Sequence, residues 1–325
     1  MTKIIGIGNA LTDILVHLKD ERLLQELHLA KGGMFHIDEP QMRTLHAAIA
    51  PFSPERATGG SAANTVHALA AFGDEVGFVG SIGDDETGRF FAKHQQERGI
   101  DSHLHLCNHA VSGIATTLIT PDGERTFATH LGASTDIQME DLRTFFGQPT
   151  SSILHVEGYL VQNHELIEQI LRESKAAGMT VSYDLASWNI VKNDHAFVEH
   201  LVKDYVDIVF ANEEEAAAFS CQQEPVKALE KLAGLTQTAV VKVGKKGAYV
   251  KTDGQTCFAP GLNKKPVDTT AAGDFFAAGF LHALIHGAEA AVCLNCGNHL
   301  ASEVIQVIGT QLSDEQIRAS LLSIL

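Results

Sequence analysis

The chain has 325 residues, with 24 basic and 40 acidic side chains, so its net charge is −16 when histidine is neutral. Proteins that hold nucleic-acid polymers or dock on anionic lipid present clustered Lys and Arg, so this charge argues against both kinds of partner. No stretch approaches the ~18 consecutive apolar residues of a membrane span, and the apolar N-terminus lacks a small-residue cleavage site. Five cysteines, an odd number, favour reduced thiols over a disulfide framework. We therefore expect a cytoplasmic protein.

Short apolar runs alternate with helical patterns along the chain. This alternation is typical of βαβ units, and hence of a mostly parallel sheet covered on both faces. The predicted strands are Lys3–Ile7, Val76–Val79, Ile153–Val156, Thr180–Tyr183, Ile208–Phe210 and Ala239–Val243. The predicted helices are Ala62–Phe72, His164–Ala177, Glu213–Phe219 and Phe275–His286. Because no Pro/Ser-rich linker interrupts the pattern, we expect one α/β domain over residues 1–325.

Two segments break the alternation. Pro121-Asp122-Gly123 supplies turn chemistry between two extended stretches, which predicts a hairpin over residues Ser112–His130. Much of the first fifty residues is irregular as well. We expect the segments at about 13–52 and 112–130 to form a small β-sheet lid that closes over a ligand.

Residues that follow the predicted strands carry the functional weight, since ligand sites in open parallel sheets lie at the carboxyl ends of the strands. The strongest candidate is the Val267–Phe280 stretch, where Ala271, Ala272 and Gly273 precede an apolar helix. The first N–H groups of such a helix can hold an anion. Asp274 lies in the same turn. Three roles fit its carboxylate there: a base, a metal ligand, or only a complement to the helix dipole.

Three further motifs have both a functional and a structural interpretation. Gly59 and Gly60 come directly before a predicted helix that carries Asn64. In the functional interpretation the two glycines let the backbone approach a ligand closely, and in the structural one they let the helix pack tightly on the sheet. Asn212 with Glu215 is typical of a helix N-cap, and Glu215 can also help to hold Mg²⁺ through water. Lys242 and Gly244 after a strand suit a phosphate or a ribose, and a hairpin turn competes with that interpretation.

Other nucleotide and metal motifs are not supported. Gly6-Ile7-Gly8 lacks the third glycine of a dinucleotide fingerprint and no helical pattern follows it, which argues against a dehydrogenase. No GxxxxGK[ST] loop occurs in the sequence. Cys293, Cys296 and His299 lie on a predicted helix without a second ligand pair, so packing is favoured there over zinc.

Together these segments resemble the ribokinase-like, or PfkB, family of carbohydrate and nucleoside kinases, in the expected order and over nearly the whole chain. Residues 59–88, GGSAANTVHALAAFGDEVGFVGSIGDDETG, are similar to the family's first signature, and residues 268–274, DTTAAGD, to its second. Asn212 to Glu215 match its NxxE pattern. The resemblance implies a three-layer α/β/α sandwich with a mostly parallel central sheet and a small β-sheet lid. It also implies an ATP-dependent kinase that phosphorylates a primary hydroxyl.

The resemblance assigns roles residue by residue. Asp274 would be the general base, and the N–H groups of Ala272, Gly273 and Asp274 would hold the transferring phosphoryl group. The acceptor hydroxyls would be bound by Asn9, Asp13, Gly59, Gly60 and Asn64. The nucleotide would be bound by Asn212, Lys242, Gly244 and Asn298, and Mg²⁺ by Glu215. A monovalent cation such as K⁺ beside Asp268 is a further option.

Two departures from the family pattern bear on activity. Ala271 stands where the family usually has glycine, and Lys242 stands where many members have threonine. An alanine would be strained if this position needs a positive φ. A non-catalytic ligand-binding protein on the same scaffold is therefore an alternative, and Ala271 is its only support.

The acceptor is predicted from two spacings. Gly8-Asn9-x-Leu11-x-Asp13 and Gly59-Gly60-Ser61-x-x-Asn64 are similar to the adenosine kinase branch, so adenosine, converted to AMP, is the best single candidate. Ribose, fructose and 2-keto-3-deoxygluconate are the alternatives. Trp188, Phe35 and Phe52 are possible partners for a base. A monomer and a homodimer both fit the sequence.

Overall fold

The computed structural model describes residues 2–147, 151–310 and 312–321. Its strands are β1 (Lys3–Ile7), β2 (Leu11–His17), β3 (Met34–His36), β4 (Glu55–Gly59), β5 (Val76–Gly83), β6 (Asp101–Cys107), β7 (Gly113–Ile119), β8 (Arg125–His130), β9 (Ser152–Glu157), β10 (Thr180–Asp184), β11 (Ile208–Asn212), β12 (Thr238–Lys242), β13 (Gly247–Thr252) and β14 (Gln255–Pro260).

Its helices are α1 (Arg22–Glu26), α2 (Glu39–Ile49), α3 (Ser61–Phe72), α4 (Glu86–Glu97), α5 (Met139–Arg143), α6 (His164–Ala176), α7 (Trp188–Asn193), α8 (His195–Tyr205), α9 (Glu213–Ser220), α10 (Pro225–Ala233), α11 (Ala272–Ile285), α12 (Ala290–Val304) and α13 (Asp314–Leu321). None of the helices in the described part of the chain combines the length and the apolar character that a bilayer crossing requires.

Nine strands form the main sheet in the order β14-β13-β12-β11-β10-β9-β1-β5-β6. All neighbours are parallel except β12 with β13 and β13 with β14, which are antiparallel. The short apolar runs predicted as strands occupy its centre, because strands buried on both faces need apolar residues at every position. The expectation of a mostly parallel sheet is confirmed.

Helices cover both faces of this sheet. Ile4 of β1 packs in a buried cluster with Val66 of α3 and Phe280 of α11. The next residue, Ile5, points to the opposite face, where its cluster includes Leu171 of α6 and Leu201 of α8. Successive side chains of a strand alternate between faces, so one apolar strand supports both layers. The predicted three-layer α/β/α fold is therefore confirmed.

A second sheet has the order β3-β8-β7-β2-β4. The predicted hairpin is present as β7 and β8, which pair antiparallel from Ile114 opposite His130 to Ile119 opposite Arg125. The irregular N-terminal segment supplies most of β2 and all of β3, and also α2, which begins at a capping box formed by Asp38 and Gln41. β4 completes the sheet although it lies outside the predicted segments. Its five residues run from two exposed ones to two buried ones without alternation, which is too weak a pattern to be recognised.

Candidate active site

A cavity of about 860 Å³ lies between the carboxyl ends of the main-sheet strands and one face of the second sheet. All the predicted site residues except Gly59 line it, from positions far apart in the chain. They are Asn9, Asp13, Gly60, Asn64, Asn212, Glu215, Lys242, Gly244, Ala272, Gly273, Asp274 and Asn298.

Asp274 lies in the first turn of α11, with its carboxylate held from α3. Its Oδ1 accepts a hydrogen bond from Ser61 Oγ at 2.7 Å, and its Oδ2 accepts one from Asn64 Nδ2 at 2.8 Å. Burial raises the pKa of Asp274 to about 6, against the two hydrogen bonds that lower it. A positioned carboxylate with a pKa close to neutral is suited to take a proton from a hydroxyl group.

The backbone before Asp274 is left-handed. Ala271 has φ +59° at the N-cap of α11, a conformation that costs a residue with a Cβ about 1–2 kcal/mol. The N–H of Ala272 donates to the Thr269 carbonyl over a long 3.3 Å. The N–H groups of Gly273 and Asp274 follow in the first turn, where an α-helix offers no acceptor of its own. The turn can therefore hold an anion, chiefly through these two groups.

Lys242, at the end of β12, brings a positive charge to the same turn. Its Nζ lies 3.0 Å from Oδ2 of Asp184, the last residue of β10. A Cβ on Gly273 would lie only 3.1 Å from this Nζ, so the ammonium group sits directly against the first turn of α11. Burial lowers the pKa of Lys242, but Asp184 and Glu215 raise it further, and the net shift is upward. Lys242 is therefore a full positive charge beside the anion-holding turn.

Asn212 and Glu215 form a reciprocal capping box at the start of α9. Asn212 Oδ1 accepts from the N–H of Glu215 at 2.9 Å, and Glu215 Oε2 accepts from the N–H of Asn212 at 2.7 Å. Glu215 Oε1 also accepts from Asn212 Nδ2 at 2.6 Å. Burial raises the pKa of Glu215 to about 7, and Asp184 adds to the shift. The capping interpretation is thus confirmed, while the carboxylates of Glu215 and Asp184 are the hard oxygen ligands that suit a hydrated Mg²⁺.

Gly244 and Asn298, the other two residues predicted to bind the nucleotide, also have structural roles. Gly244 has φ +55° at the tight turn between β12 and β13, where glycine meets no Cβ penalty. Asn298 of α12 donates from Nδ2 to the carbonyls of Ala259 at 3.1 Å and Pro260 at 3.2 Å. Asn298 therefore ties α12 to the end of β14 while it lines the cavity.

Asp13 of β2 lines the cavity from the second sheet. Burial raises its pKa to about 7, and the negative charges of Asp274 and Asp268 contribute. Gly59 leaves the room for this carboxylate, since a Cβ there would lie 2.2 Å from Asp13 Oδ1. Gly60 has φ +96°, and a Cβ on it would lie 2.1 Å from the Asn9 carbonyl. Both glycines are therefore needed to bring β4 and α3 this close to the cavity.

Glu157, at the end of β9, also lines the cavity, and the sequence motifs assign it no role. It accepts hydrogen bonds from Asn9 N at 2.8 Å, Asn9 Nδ2 at 2.6 Å and Ala62 N at 3.1 Å. Burial raises its pKa to about 7 against these bonds. Glu157 thus orients Asn9 and fixes the start of α3. Its place directly after a predicted strand is the only sequence signal for it.

Arg125 of β8 is a second residue without a predicted role. Its guanidinium forms an ion pair with the Asp268 carboxylate, which is only 2% exposed, and its Nη2 donates to the Val267 carbonyl at 2.8 Å. Asp268 also accepts from the N–H of Thr270 at 2.7 Å and of Gly309 at 2.6 Å. This pair joins the second sheet to the segment before α11.

Aromatic side chains of the second sheet line the cavity too. Phe35 of β3 and Phe127 of β8 are both among its lining residues. In the strand register Phe127 lies on the face of the second sheet that carries Asp13, whereas Phe35 lies opposite Ala128 on the other face. Of the other suggested partners for a base, Trp188 lies outside the cavity and is 49% exposed, and Phe52 packs against the buried cluster of the second sheet. Of these three suggested partners, Phe35 is the one that lines the cavity.

This arrangement of the Asp274 carboxylate, the first turn of α11 and the carboxylates of Glu215 and Asp184 agrees with a comparison of the sequence with family models. The model described as "pfkB family carbohydrate kinase" matches residues 38–317. The chain belongs to the pfkB family. It is accordingly a kinase that acts on nucleosides or sugars, and the kinase family implies the use of ATP.

Several relatives of this pfkB kinase are similar over almost their full length. A crystal structure described as adenosine kinase from Sinorhizobium meliloti is 29% identical, covers 98% of both chains and has a TM-score of 0.85. One described as a probable sugar kinase from Rhizobium etli CFN 42 is 26% identical, covers 100% of both and has a TM-score of 0.86. Adenosine kinase 1 of Arabidopsis thaliana is 24% identical over 94% of each chain. The relatives thus include kinases named for a nucleoside and for sugars.

Proposed function

We propose that this pfkB kinase transfers the γ-phosphoryl group of ATP to the primary hydroxyl of a nucleoside, with adenosine converted to AMP. The observation that carries the proposal is that the cavity has a polar part and an aromatic part. One part holds the polar groups of Asp13, Asn64 and Asp274, which suit the hydroxyls of a sugar. Phe35 and Phe127 supply an aromatic part, which a sugar alone does not need but a purine base does.

Asp274 is the general base in this proposal. Its carboxylate takes the proton of the acceptor hydroxyl as the oxygen forms its bond to the γ-phosphorus, and the bond from that phosphorus to the oxygen of departing ADP breaks. Ser61 and Asn64 aim the carboxylate, since each donates to one of its oxygens. Phosphoryl transfer needs little covalent work from the protein, so this positioning is the main contribution of these residues.

The transferring group lies between Lys242 and the N–H groups of Gly273 and Asp274. These donors are fixed before substrate binds, so they stabilise developing negative charge without reorganisation. Asn212, Gly244 and Asn298 also line the cavity. In this proposal they contact the nucleotide. Mg²⁺, held through Glu215 and Asp184, would neutralise phosphate charge when bound.

The second sheet acts as the lid of a single domain. Asp13 and Phe127 lie on the same face of this sheet and line the cavity, and Phe35 of the edge strand β3 lines it too. Closure of this sheet on the substrate would exclude water and suppress the hydrolysis of ATP. ATP as donor and free cysteines such as Cys107 and Cys221 suit the cytoplasm.

The test is an ADP-release assay with adenosine, inosine, ribose, fructose and 2-keto-3-deoxygluconate as acceptors. We expect the highest kcat/KM with adenosine. The Asp274→Asn variant supplies the background of ATP hydrolysis. Turnover confined to sugars, with none on either nucleoside, would overturn the nucleoside assignment and leave the kinase assignment in place.

A sugar kinase is the second candidate, because the probable sugar kinase of R. etli matches the whole chain and the polar part of the cavity suits any polyol. Phe127→Ala separates the two functions, since Phe127 lies on the face of the second sheet that carries Asp13. If the acceptor is a nucleoside, this variant raises KM for the acceptor and leaves KM for ATP unchanged. Trp188→Ala is the matched control, since Trp188 is an exposed aromatic residue outside the cavity. Equal KM values in the Phe127 variant and the wild type would favour the sugar.

A further inference from the structure

Metal-binding side chains meet at the edge of the main sheet, away from the cavity. β6 is the edge strand, and His105 and Cys107 project from the same face because they are two residues apart. His109 follows the strand, and Asp136 follows the short 3₁₀ turn Gly132–Thr135. Cys107, His109 and Asp136 place one ligand atom each within 4.8 Å of one another.

The separations between these atoms are those of ligands around one ion. Cys107 Sγ lies 3.4 Å from His109 Nδ1 and 3.6 Å from His109 Nε2. Asp136 Oδ2 lies 3.7 Å from His105 Nε2 and 4.0 Å from His109 Nε2. Zinc bonds of about 2.3 Å to sulfur and about 2.0–2.2 Å to nitrogen or oxygen place tetrahedral ligand atoms about 3.3–3.6 Å apart. Cys107, His109 and Asp136 are therefore close to the spacing of three zinc ligands, and His105 lies beside Asp136 on the same side of the group.

A second cluster in the described part of the chain has a different geometry. Asp74 accepts from His282 Nδ1 at 2.7 Å and from His286 Nε2 at 3.0 Å. These are ordinary hydrogen-bond lengths, so the two imidazoles already satisfy this buried carboxylate. The group also contains no sulfur. Hydrogen bonding accounts for the Asp74 cluster. Around Cys107 it accounts for the contact between Cys107 and His109, but the separations of 3.7 Å and 4.0 Å from Asp136 to His105 and His109 are too long for hydrogen bonds.

We propose that Cys107, His109 and Asp136 bind one zinc ion, and that His105 turns from its place beside Asp136 to supply the fourth ligand. Thiolate, imidazole and carboxylate are the ligand types that zinc takes, and four protein ligands leave no open position for chemistry. The Cys107 thiol releases its proton to solvent as the zinc–sulfur bond forms. The ion ties the end of the edge strand β6 to the segment after the Gly132–Thr135 turn, so its role is structural.

Cobalt provides the test, because Co²⁺ replaces zinc and its spectrum reports the ligands. Protein stripped with EDTA and kept reduced with a phosphine is titrated with Co²⁺ in the absence of nucleotide. We expect a thiolate-to-cobalt charge-transfer band that saturates at one equivalent, and intense visible bands of a four-coordinate ion. Zinc added afterwards should displace the cobalt and remove both. Zinc should also raise the melting temperature of the stripped protein.

Three variants locate the site. Cys107→Ser should lose the charge-transfer band, and Cys221→Ser, at an exposed cysteine elsewhere, should keep it. His109→Ala should weaken cobalt binding at least tenfold, since loss even of a residue that only supports a metal ligand costs about 10–100-fold. The His109 side chain is 77% exposed, so its removal leaves the fold intact even if Cys107→Ser does not.

Two results would overturn the proposal. One is a wild-type protein without a charge-transfer band at equimolar Co²⁺, or with a band that survives Cys107→Ser. The other is cobalt binding that is unchanged in His109→Ala and lost in His286→Ala, which would assign the metal to the Asp74 cluster.

Discussion

The Lys242 ammonium lies 3.0 Å from the Asp184 carboxylate, and their side chains are 14% and 9% exposed. The pair joins the ends of β12 and β10 at the point where the first turn of α11 meets the cavity. Asp184 keeps the lysine charged in spite of its burial. A fixed cation thus stands beside the two N–H groups that are proposed to hold the γ-phosphoryl group.

Replacement of this cation is the first prediction. Lys242→Met should lower kcat/KM for ATP by about 10²-fold or more, because one preorganised donor to the transferring group is lost. Lys246→Met is the matched control, since Lys246 is an exposed lysine on the same turn and outside the cavity. The double variant Lys242→Met, Asp184→Asn shows whether the unpaired carboxylate of Asp184 contributes to the loss of kcat/KM. Equal kcat/KM in Lys242→Met and wild type would refute the role of the lysine.

Asp274→Asn is the second prediction. The amide fills the same space but cannot accept a proton, so kcat should fall by about 10²–10⁴-fold. Calorimetry should give an unchanged affinity for ATP, because the N–H groups of the turn remain. Glu214→Gln is the control. It removes the charge of an exposed carboxylate on α9 and should retain the wild-type kcat. A kcat near the wild-type value in Asp274→Asn would remove Asp274 from the role of base.

The pH dependence follows from the raised pKa of Asp274, which is about 6. A general base acts in its deprotonated form, so kcat/KM for the acceptor should fall as the pH drops through about 6 and level off above about 7. Asp13, with a pKa of about 7, would add to the same limb when its protonation weakens acceptor binding. The measurement is a pH profile with saturating Mg²⁺ and ATP. A flat profile between about pH 5 and about pH 8 contradicts the assignment.

The elements predicted from sequence and those that were missed differ in how local their signal is. Lys3–Ile7 is apolar at four of its five positions because both faces of β1 are buried, and this pattern is visible without the fold. The Lys242–Asp184 and Arg125–Asp268 pairs join positions 58 and 143 residues apart, so only the folded chain brings them together. The same holds for Asp136, which lies far from His105 and Cys107 in sequence.

Potassium dependence is the fourth prediction. The Asp268 carboxylate is the predicted neighbour of a monovalent cation, but it is satisfied by the Arg125 guanidinium and two backbone N–H groups. We therefore expect the same kcat when K⁺ is replaced by tetramethylammonium. Arg125→Ala frees the carboxylate, and its kcat should then respond to K⁺. Activity of the wild type that collapses without K⁺ would show that the arginine does not substitute for the ion.

Ala271→Gly should stabilise the protein. At φ +59° an alanine costs about 1–2 kcal/mol, and glycine removes this cost. Glycine also adds about 0.4–1 kcal/mol of unfolded-state entropy, so the net gain is about 0–1.6 kcal/mol. Urea unfolding should show a higher midpoint with an unchanged slope. Ala291→Gly, at an exposed position of α12, is the control and should lose about 1 kcal/mol. A midpoint below that of the wild type for Ala271→Gly would contradict the strain inferred at this turn.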